Sequence, residues 1–462
     1  MLLYRPVATP LVGVPSYPCS FLCIANRNET RHPQGASLLK GQYFSQAGTP
    51  ILSSTSFWQA DFRASDSSPT TREPLRGAQE TEIAIVGAGI TGTAAALWLA
   101  RAGINARVLE ARGIAAAASG RNGGFIADGT TRLYAHAIAS QGRDAARRAW
   151  AFSVANHAYA EAFIHELEDQ GWRCDYRRNG SYKLAASEEE LGPILESARL
   201  LNEDGWPTHV VQRDELPQRL RKAYFGGAFF PANGEIQPVR FVTGLARLAE
   251  QAGAVFYEES PLTGINIEDN GVTLITPEGT LRAQKLILAT NAWLPEVGKL
   301  VGAAWLASCI TPMRGQVIAT EPIHERILPS PCSAEEGYQY WRQLQDGRLI
   351  VGGWRSRSPE TEFHTYDETP YEGIQQHLDA FVHETLDLPD VKIATRWAGI
   401  MAFTSDNLPL AGQLPGVNNC YICGGYTGHG NAFAINCARL VSELAMEKTD
   451  RDAELFEVGR FL

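Results

Sequence analysis

Apolar positions run without a break from Ile83 to Ala100 in "IAIVGAGITGTAAALWLA", eighteen uncharged residues, long enough to suggest a membrane-crossing helix. Glycines at 87, 89 and 92 argue against one helix, because each costs roughly 1 kcal/mol relative to alanine in a helix interior. The pattern resolves instead into a buried strand over residues 82–86, a turn over 87–92 and a helix over 93–102 closed by Gly103. A second apolar run, 106–109, reads as another strand and ends in Glu110. Further along, residues 180–185 and 348–351 alternate apolar with polar, so the segments 174–234 and 304–392 read as strands of an antiparallel sheet. Near the C-terminus the apolar strand 420–423 runs into glycines 424, 425, 428 and 430, which again precede a helical pattern.

The first glycine turn carries chemistry. Gly87 permits a sharp strand-to-helix turn, Gly89 lets backbone approach a pyrophosphate, and Gly92 lets the helix lie close against the strand. Ile90 and Thr91 lie in the turn, and the free N–H groups and positive end of the helix that follows face the anion. Glu110, 23 positions beyond Gly87 and followed by Ala111, is placed to accept hydrogen bonds from an adenosine ribose. One G-x-G-x-x-G is a weak signal, but strand, turn, helix, second strand and terminal acid in order specify a dinucleotide site. An acid at position 110 disfavours a 2′-phosphate, so FAD or NAD is expected and NADP is not.

Composition narrows the rest. The 462 residues are 44% hydrophobic and 20% charged, a globular profile with length for two or three domains. A net charge of −10 gives no overall basic footprint for nucleic acid. Eight scattered cysteines are too sparse for a disulfide framework and point to a reducing, cytoplasmic setting. Cys420 and Cys423 form a C-x-x-C with no second pair, so they read as buried strand cysteines and no metal is assigned. Residues 1–80 read as an irregular extension: prolines 10, 15 and 18 break a signal-peptide core, and Ser, Thr, Pro, Gly and Arg dominate thereafter. An organelle transit segment or an upstream start are the alternatives there.

The loop "ASGRNGG" (118–124) offers a hydroxyl, a guanidinium and an amide on flexible backbone, and by itself reads equally as a ligand surface or a connector. Together with "GEIQPVRFVTGLARLAEQAGAVFYEES" (234–260), "LILATNAW" (286–293), "PMRGQ" (312–316), "GRLIVGG" (347–353) and "GGYTGHG" (424–430), the chain resembles the D-amino-acid-oxidase-like superfamily of FAD-dependent amine and amino-acid oxidoreductases. "SFW" at 56–58 and "SGRNGG" look most like its gamma-glutamylputrescine-oxidase and glycine–sarcosine-oxidase branch. The resemblance implies an α/β fold: a Rossmann-type FAD-binding domain from residues 82–135, 236–296 and 396–447, and an α+β substrate domain on an antiparallel sheet from 174–234 and 304–392. It implies that Gly87, Gly89, Gly92 and Glu110 hold the adenosine diphosphate half, and that Ser119, Arg121, Asn122 and Gly123 line the pyrophosphate and flavin. Leu262 falls at a main-chain contact to adenine, Thr290 in a loop closing over the cofactor, and Gly425, Gly428, His429 and Gly430 at the isoalloxazine. His429 reads equally as a locally packed side chain.

Two departures from the family shape the expectations. No cysteine stands between 396 and 406, where sarcosine-oxidase-like members attach flavin, so FAD is expected to be noncovalent. The G-x-L-K-x-G lysine of those members is absent from Leu349-Ile350-Val351-Gly352, which puts fast oxygen use in doubt. For the substrate, a small amine or amino acid, Tyr340, Arg342, Arg314 and Trp397 are the candidate pocket residues. An arginine would clamp a carboxylate and aromatics would exclude water; equally, Arg342 reads as a surface cation and Trp397 as a core aromatic. The expected reaction is hydride transfer from the carbon beside the amine nitrogen to flavin, with oxygen or an electron carrier as acceptor. A noncatalytic FAD-binding protein is the remaining alternative.

Overall fold

The computed structural model describes residues 55–65, 70 and 72–462. Most of the irregular stretch expected over 1–80 lies outside the described residues. Its described part is not all irregular: Phe57–Ser65 is a helix with Trp58 fully buried, and the first strand, Gly77–Val86, begins before residue 80.

Two large sheets organise the chain. The first runs Leu410–Gln413, Cys420–Gly424, Gly279–Leu288, Gly77–Val86, Ala106–Leu109, Val255–Tyr257. Its central pairings are parallel, while Leu410–Gln413 and the strands Gly264–Glu268 and Gly271–Ile275 add antiparallel pairs. The unbroken apolar run of the sequence follows from burial on both faces. Ile83 and Ile85 face a core built with Leu97, Leu99 and Val242, while Ala84 and Val86 face another with Leu288, Leu294 and Ile400.

The helix Ile90–Arg101 covers the first of these faces, packed between Pro238–Gln251 and Gly430–Ala445. Its Ala94, Ala95 and Ala96 are wholly buried, which lets these helices approach closely. No helix among the described residues is long and apolar enough to cross a membrane.

The second sheet runs Ile393–Thr404, Ile310–Thr320, Leu349–Gly353, Gln339–Gln343, Cys332–Ala334, Ser181–Leu184, Gly226–Phe230, His209–Gln212. It is antiparallel except where Cys332–Ala334 pairs in parallel with Ser181–Leu184. The strand Ile393–Thr404 pairs along Ile310–Thr320 in this second sheet, although the sequence reading placed residues from 396 onward with the first. Alternation explains the miss: Trp397, Ala398 and Ile400 are all buried, so the strand has no polar face. The long helix Arg143–Asp169 packs on Gly430–Ala445.

Candidate cofactor and substrate site

At the first turn, Gly87 has φ +100°, and a Cβ there would lie 2.8 Å from the Ala289 carbonyl oxygen. A Cβ on Gly92 would lie 1.8 Å from the carbonyl oxygen of Gly87, so only glycine lets the helix start this close to the strand. Gly89 faces Ser119, whose Oγ accepts from the Ile90 amide at 2.9 Å and would be 2.8 Å from an added Cβ. Glu110 Oε2 accepts from Ala88 N at 2.8 Å and Oε1 from Arg112 N at 2.9 Å. Burial pushes this carboxyl above its ordinary range, opposed by those two amides. Each oxygen keeps a further lone pair, so a ribose diol can still be accepted. Ala111 is half-buried beside Glu110.

The 118–124 loop is pinned by its own polar groups. Asn122 Nδ2 donates to the carbonyls of Ala118 and Ser119 at 3.1 and 2.9 Å, and its Oδ1 accepts from Gly124 N at 2.7 Å. Arg121 is buried, donating to Ala116 O and Ala398 O at 2.9 Å each, with Glu368 Oε2 3.7 Å from its guanidinium. Gly123 packs under Tyr340, where a Cβ would come within 3.1 Å of the ring. The helix Phe57–Ser65 braces this loop: Trp58 Nε1 donates to Asn122 O at 2.7 Å, and Ser56 Oγ to Gly120 O at 2.6 Å. The "SFW" signal is therefore a structural support of the loop.

At the C-terminal turn, Gly425 and Gly428 take φ of +73° and +79°. A Cβ on Gly428 would touch Phe403 and Met401 of the second sheet at 3.8 and 3.9 Å. His429 precedes the helix Gly430–Ala445. Thr131 Oγ1 donates to Thr427 O at 2.5 Å and lies 3.0 Å from His429 Nδ1. With the Thr131 proton directed to the carbonyl, Nδ1 carries the ring hydrogen and Nε2 is the acceptor. Burial, with Lys183 and Arg355 nearby, pulls the imidazole down to about 4, so it is neutral at physiological pH. Thr91 is buried and shares a 2.7 Å hydrogen bond with the Tyr426 hydroxyl, tying the two glycine turns together. Ile90 is likewise buried, and Leu262 packs at the edge of the second core.

A flavin dinucleotide fits this arrangement on an observation independent of motif. Thr290 Oγ1 is buried without a hydrogen-bond partner among the described residues, in the loop following the strand Gly279–Leu288 whose Ala289 carbonyl faces Gly87. Buried hydroxyls are ordinarily paired, and a ligand atom in this loop would supply the missing partner.

The candidate substrate residues separate. Tyr340 lies between the second sheet and the 118–124 loop, its ring against Gly352 and Gly123, and burial pushes its phenol up to about 12, so it stays protonated. Arg342 is only 2% exposed: it donates to Gly124 O at 2.6 Å and Ile236 O at 3.0 Å, with its guanidinium over Trp58 at 4.8 Å. It is a structural cation under the loop, neither the surface charge nor the clamp that the sequence allowed. Arg314 is held by Glu362, Asp367 and the carbonyls of Thr361 and Thr369. Trp397 is fully buried and donates to Arg121 O at 2.9 Å, which makes it a core support. Sequence reasoning missed Phe403 and Met401, which lie beside Gly428, Arg355, whose guanidinium lies over the Tyr338 and Phe403 rings, and Lys183, a cation near His429; no local motif marks them.

Two glycine-rich turns on a parallel sheet, with an acid after the second strand and an antiparallel sheet alongside, define a two-domain flavin-binding oxidoreductase. The chain belongs to the family described as DAO, FAD dependent oxidoreductase, which matches residues 82–444. It is 30% identical over 393 residues to gamma-glutamylputrescine oxidoreductase of Escherichia coli (strain K12), covering 81% of this chain and 85% of that one. It is 29% identical to probable oxidoreductase OrdL of Rhizobium meliloti (strain 1021), with the same coverage. Among solved structures, glycine oxidase from Geobacillus kaustophilus superposes with a TM-score of 0.72 at 22% identity, over 83% of this chain and 100% of that one, a likeness of fold. FAD is the cofactor, and the protein is an FAD-dependent oxidoreductase.

Proposed function

We propose that the protein oxidises the C–N bond of an amine or amino acid to an imine, which water then hydrolyses. What carries the reading is where the second sheet touches the cofactor turns: Tyr340 against Gly123, and Phe403 and Met401 against Gly428, with neutral His429 between the turn and the helix. The likeness to gamma-glutamylputrescine oxidoreductase, a protein named for an amine-containing substrate, supports it. FAD, when bound, accepts the hydride from the carbon bearing the nitrogen. The chain's own part is to orient and to dry that carbon: Tyr340 beside Gly123 and Phe403 beside Gly428 would exclude water, and His429 Nε2 would accept from an uncharged amine without protonating it.

FAD would be held by Gly87, Gly89, Ile90, Gly92, Glu110, Ser119, Asn122, Gly123, Thr290, Gly425, Gly428 and Gly430 without a covalent bond. In support, the described cysteines 174, 309, 332, 420, 423 and 437 are all buried, and acid precipitation should release all the flavin into solution. A second reading concerns the acceptor. Ile350 stands where an oxygen-assisting lysine is expected, and it is buried in the first core, which favours transfer to a quinone or carrier protein over oxygen. Anaerobic mixing with amino acids, N-methyl amino acids and polyamine derivatives tests the reaction. Bleaching of the flavin band by one of these classes is the expected result, after which air distinguishes the acceptors. A yellow protein that none of them bleaches would overturn it.

A further inference from the structure

Lys183 is half-buried, yet among the described residues its ammonium makes no hydrogen bond and no ion pair. Lys285 and Lys299, by contrast, are held: Lys285 donates to Ala445 O at 2.7 Å and to Glu447 at 2.8 Å, and Lys299 pairs with Glu296 at 2.7 Å. Burial lowers the pKa of Lys183, opposed only by Glu336. The acids at this end are engaged elsewhere. Glu336 stands 3.4 Å from His136, and Glu190 accepts from the Ala186 amide at 2.8 Å. Withdrawing an ammonium from water without a partner is costly, so the position reads as one that awaits an acceptor.

The second sheet sets where that acceptor comes from. The strand Ser181–Leu184 turns Tyr182 and Leu184 into the core that holds Trp341 and Val351, which sends Lys183 to the opposite face. That is the face of Tyr340. Register places Lys183 opposite Ser333, Ser333 opposite Tyr340 and Tyr340 opposite Gly352, one row across four strands. Neighbouring strands lie about 4.8 Å apart, so the Cα atoms of Lys183 and Tyr340 are roughly 10 Å apart along the row. The Tyr340 ring leans over Gly352, where a Cβ would lie 2.4 Å from it, and the strand between Tyr340 and Lys183 contributes only the small Ser333 side chain. Beyond Lys183, Ala185 on the same face packs with Ala228 and Leu133 in an apolar cluster that offers an ammonium nothing. The charge is instead near enough to His429 to lower that imidazole, second only to burial. The row therefore runs from the tyrosine under the 118–124 loop to a cation near His429.

We propose that Lys183 determines specificity at the far end of an elongated substrate, taking the carboxylate of an amine whose acid group lies several bonds from the carbon that is oxidised. This rests on the amine-oxidation reading of the same site. The amine end lies at Tyr340 and the cofactor turns, and the substrate chain runs along the row past Ser333. An ammonium suits a flexible far end, because a compact point charge with rotatable donors receives a carboxylate from a range of directions. Amines with no acid group, and amino acids too short to span the row, leave Lys183 unpaired and gain nothing from it.

The test mixes the FAD-loaded protein anaerobically with straight-chain ω-amino acids from glycine to aminohexanoate, and with alkylamines of the same lengths, following the flavin band. Lys183→Met should raise the half-saturating concentration of the longest acids about 10-fold, the scale of one charge-assisted hydrogen bond, and leave glycine and the alkylamines unchanged. Lys183→Arg should keep most of the preference for long acids. Flavin content should be equal in all three proteins. Without ligand, Lys183→Met should melt no lower than the unsubstituted protein, because it removes a charge that has no partner. Long acids unaffected by Lys183→Met, all ligands weakened alike, or a lower melting temperature of the ligand-free variant would each overturn the proposal. If no member of the series bleaches the flavin, the same series is read as perturbation of the oxidised band. A Lys183-dependent preference for long acids there would keep the subsite and remove the oxidation reading, and its absence would remove both. Bleaching by amines with Lys183→Met indistinguishable from the unsubstituted protein would remove the subsite alone.

Discussion

The two sheets contribute to the proposed site by different means. Around the first, the proposed binding groups are backbone: glycines 87, 89, 92 and 425 shape turns in which a side chain would strike a carbonyl, a hydroxyl or the Thr404 methyl. Around the second, the groups that meet those turns are side chains arriving from separate strands, Tyr340 from Gln339–Gln343 and Phe403 from Ile393–Thr404. Backbone sites are built from consecutive residues and tolerate little change. Side-chain sites are assembled through the tertiary fold, and neighbouring positions on one strand can face different ways, as Tyr340 beside Gly123 and Arg342 under Gly124 and Ile236 do.

The sharpest way to break this contrast is Gly89→Val. Its side chain would meet Ser119 Oγ in the cradle itself, and flavin retention should fall by about 100-fold or more, on the scale of an overpacked site. The absorbance ratio of flavin to protein after gel filtration reads it, and a fully yellow variant would break the backbone account. Arg342→Met should act on stability, leaving KM nearly unchanged. It removes the cation bonded to Gly124 and Ile236 and leaves the buried Glu235 with Arg177 and Asn179, costing about 2–4 kcal/mol in denaturant unfolding. A large KM effect at unchanged stability would return Arg342 to the substrate.

His429 sharpens the comparison through pH. Its folded value, about 4, lies below the ordinary 6.5, so the unfolded chain takes up a proton first. This contribution to stability is therefore undiminished above about 6.5, declines as pH falls toward 4 and levels off below that. His429→Asn should lose this part of the slope of Tm against pH, and an identical slope would contradict burial of the neutral ring. The smallest effect is expected from Thr290→Val. It removes a buried hydroxyl that has no partner among the described residues, so the flavin-free protein should be unchanged or slightly more stable, while FAD affinity falls about 5- to 10-fold. Loss of stability without FAD would show that the hydroxyl already had a partner.

This difference in construction also decides what was legible in the sequence. The strand before Gly87, the helix after the glycine turn, the strand Ala106–Leu109 with its terminal acid and the glycines before the last helix could be read because each is local, with its spacing fixed by backbone geometry, although the helix begins at Ile90 and not at the expected residue 93. Alternation marked Ser181–Leu184 and Leu349–Gly353 as strands. The same signal failed for Ile393–Thr404, whose buried run resembles a strand of the first sheet. Arg342, Arg314 and Trp397 looked chemical because arginine and tryptophan can be, and only partners remote in sequence, such as Ile236, Glu362 and Arg121, reveal their supporting roles. Lys183 was invisible for the opposite reason: what distinguishes it is the absence of a partner among the described residues, which no sequence displays.

A crystal structure of the FAD-loaded protein is the most direct test of this division of labour. The account predicts the ribose on Glu110 and a ligand atom on Thr290 Oγ1. It also predicts the isoalloxazine beside Gly428 and Tyr340, with Arg342 still bonded to Gly124 and Ile236. A dinucleotide lying away from the turns at Gly87 and Gly425, or Arg342 swung from those carbonyls onto the ligand, would contradict it.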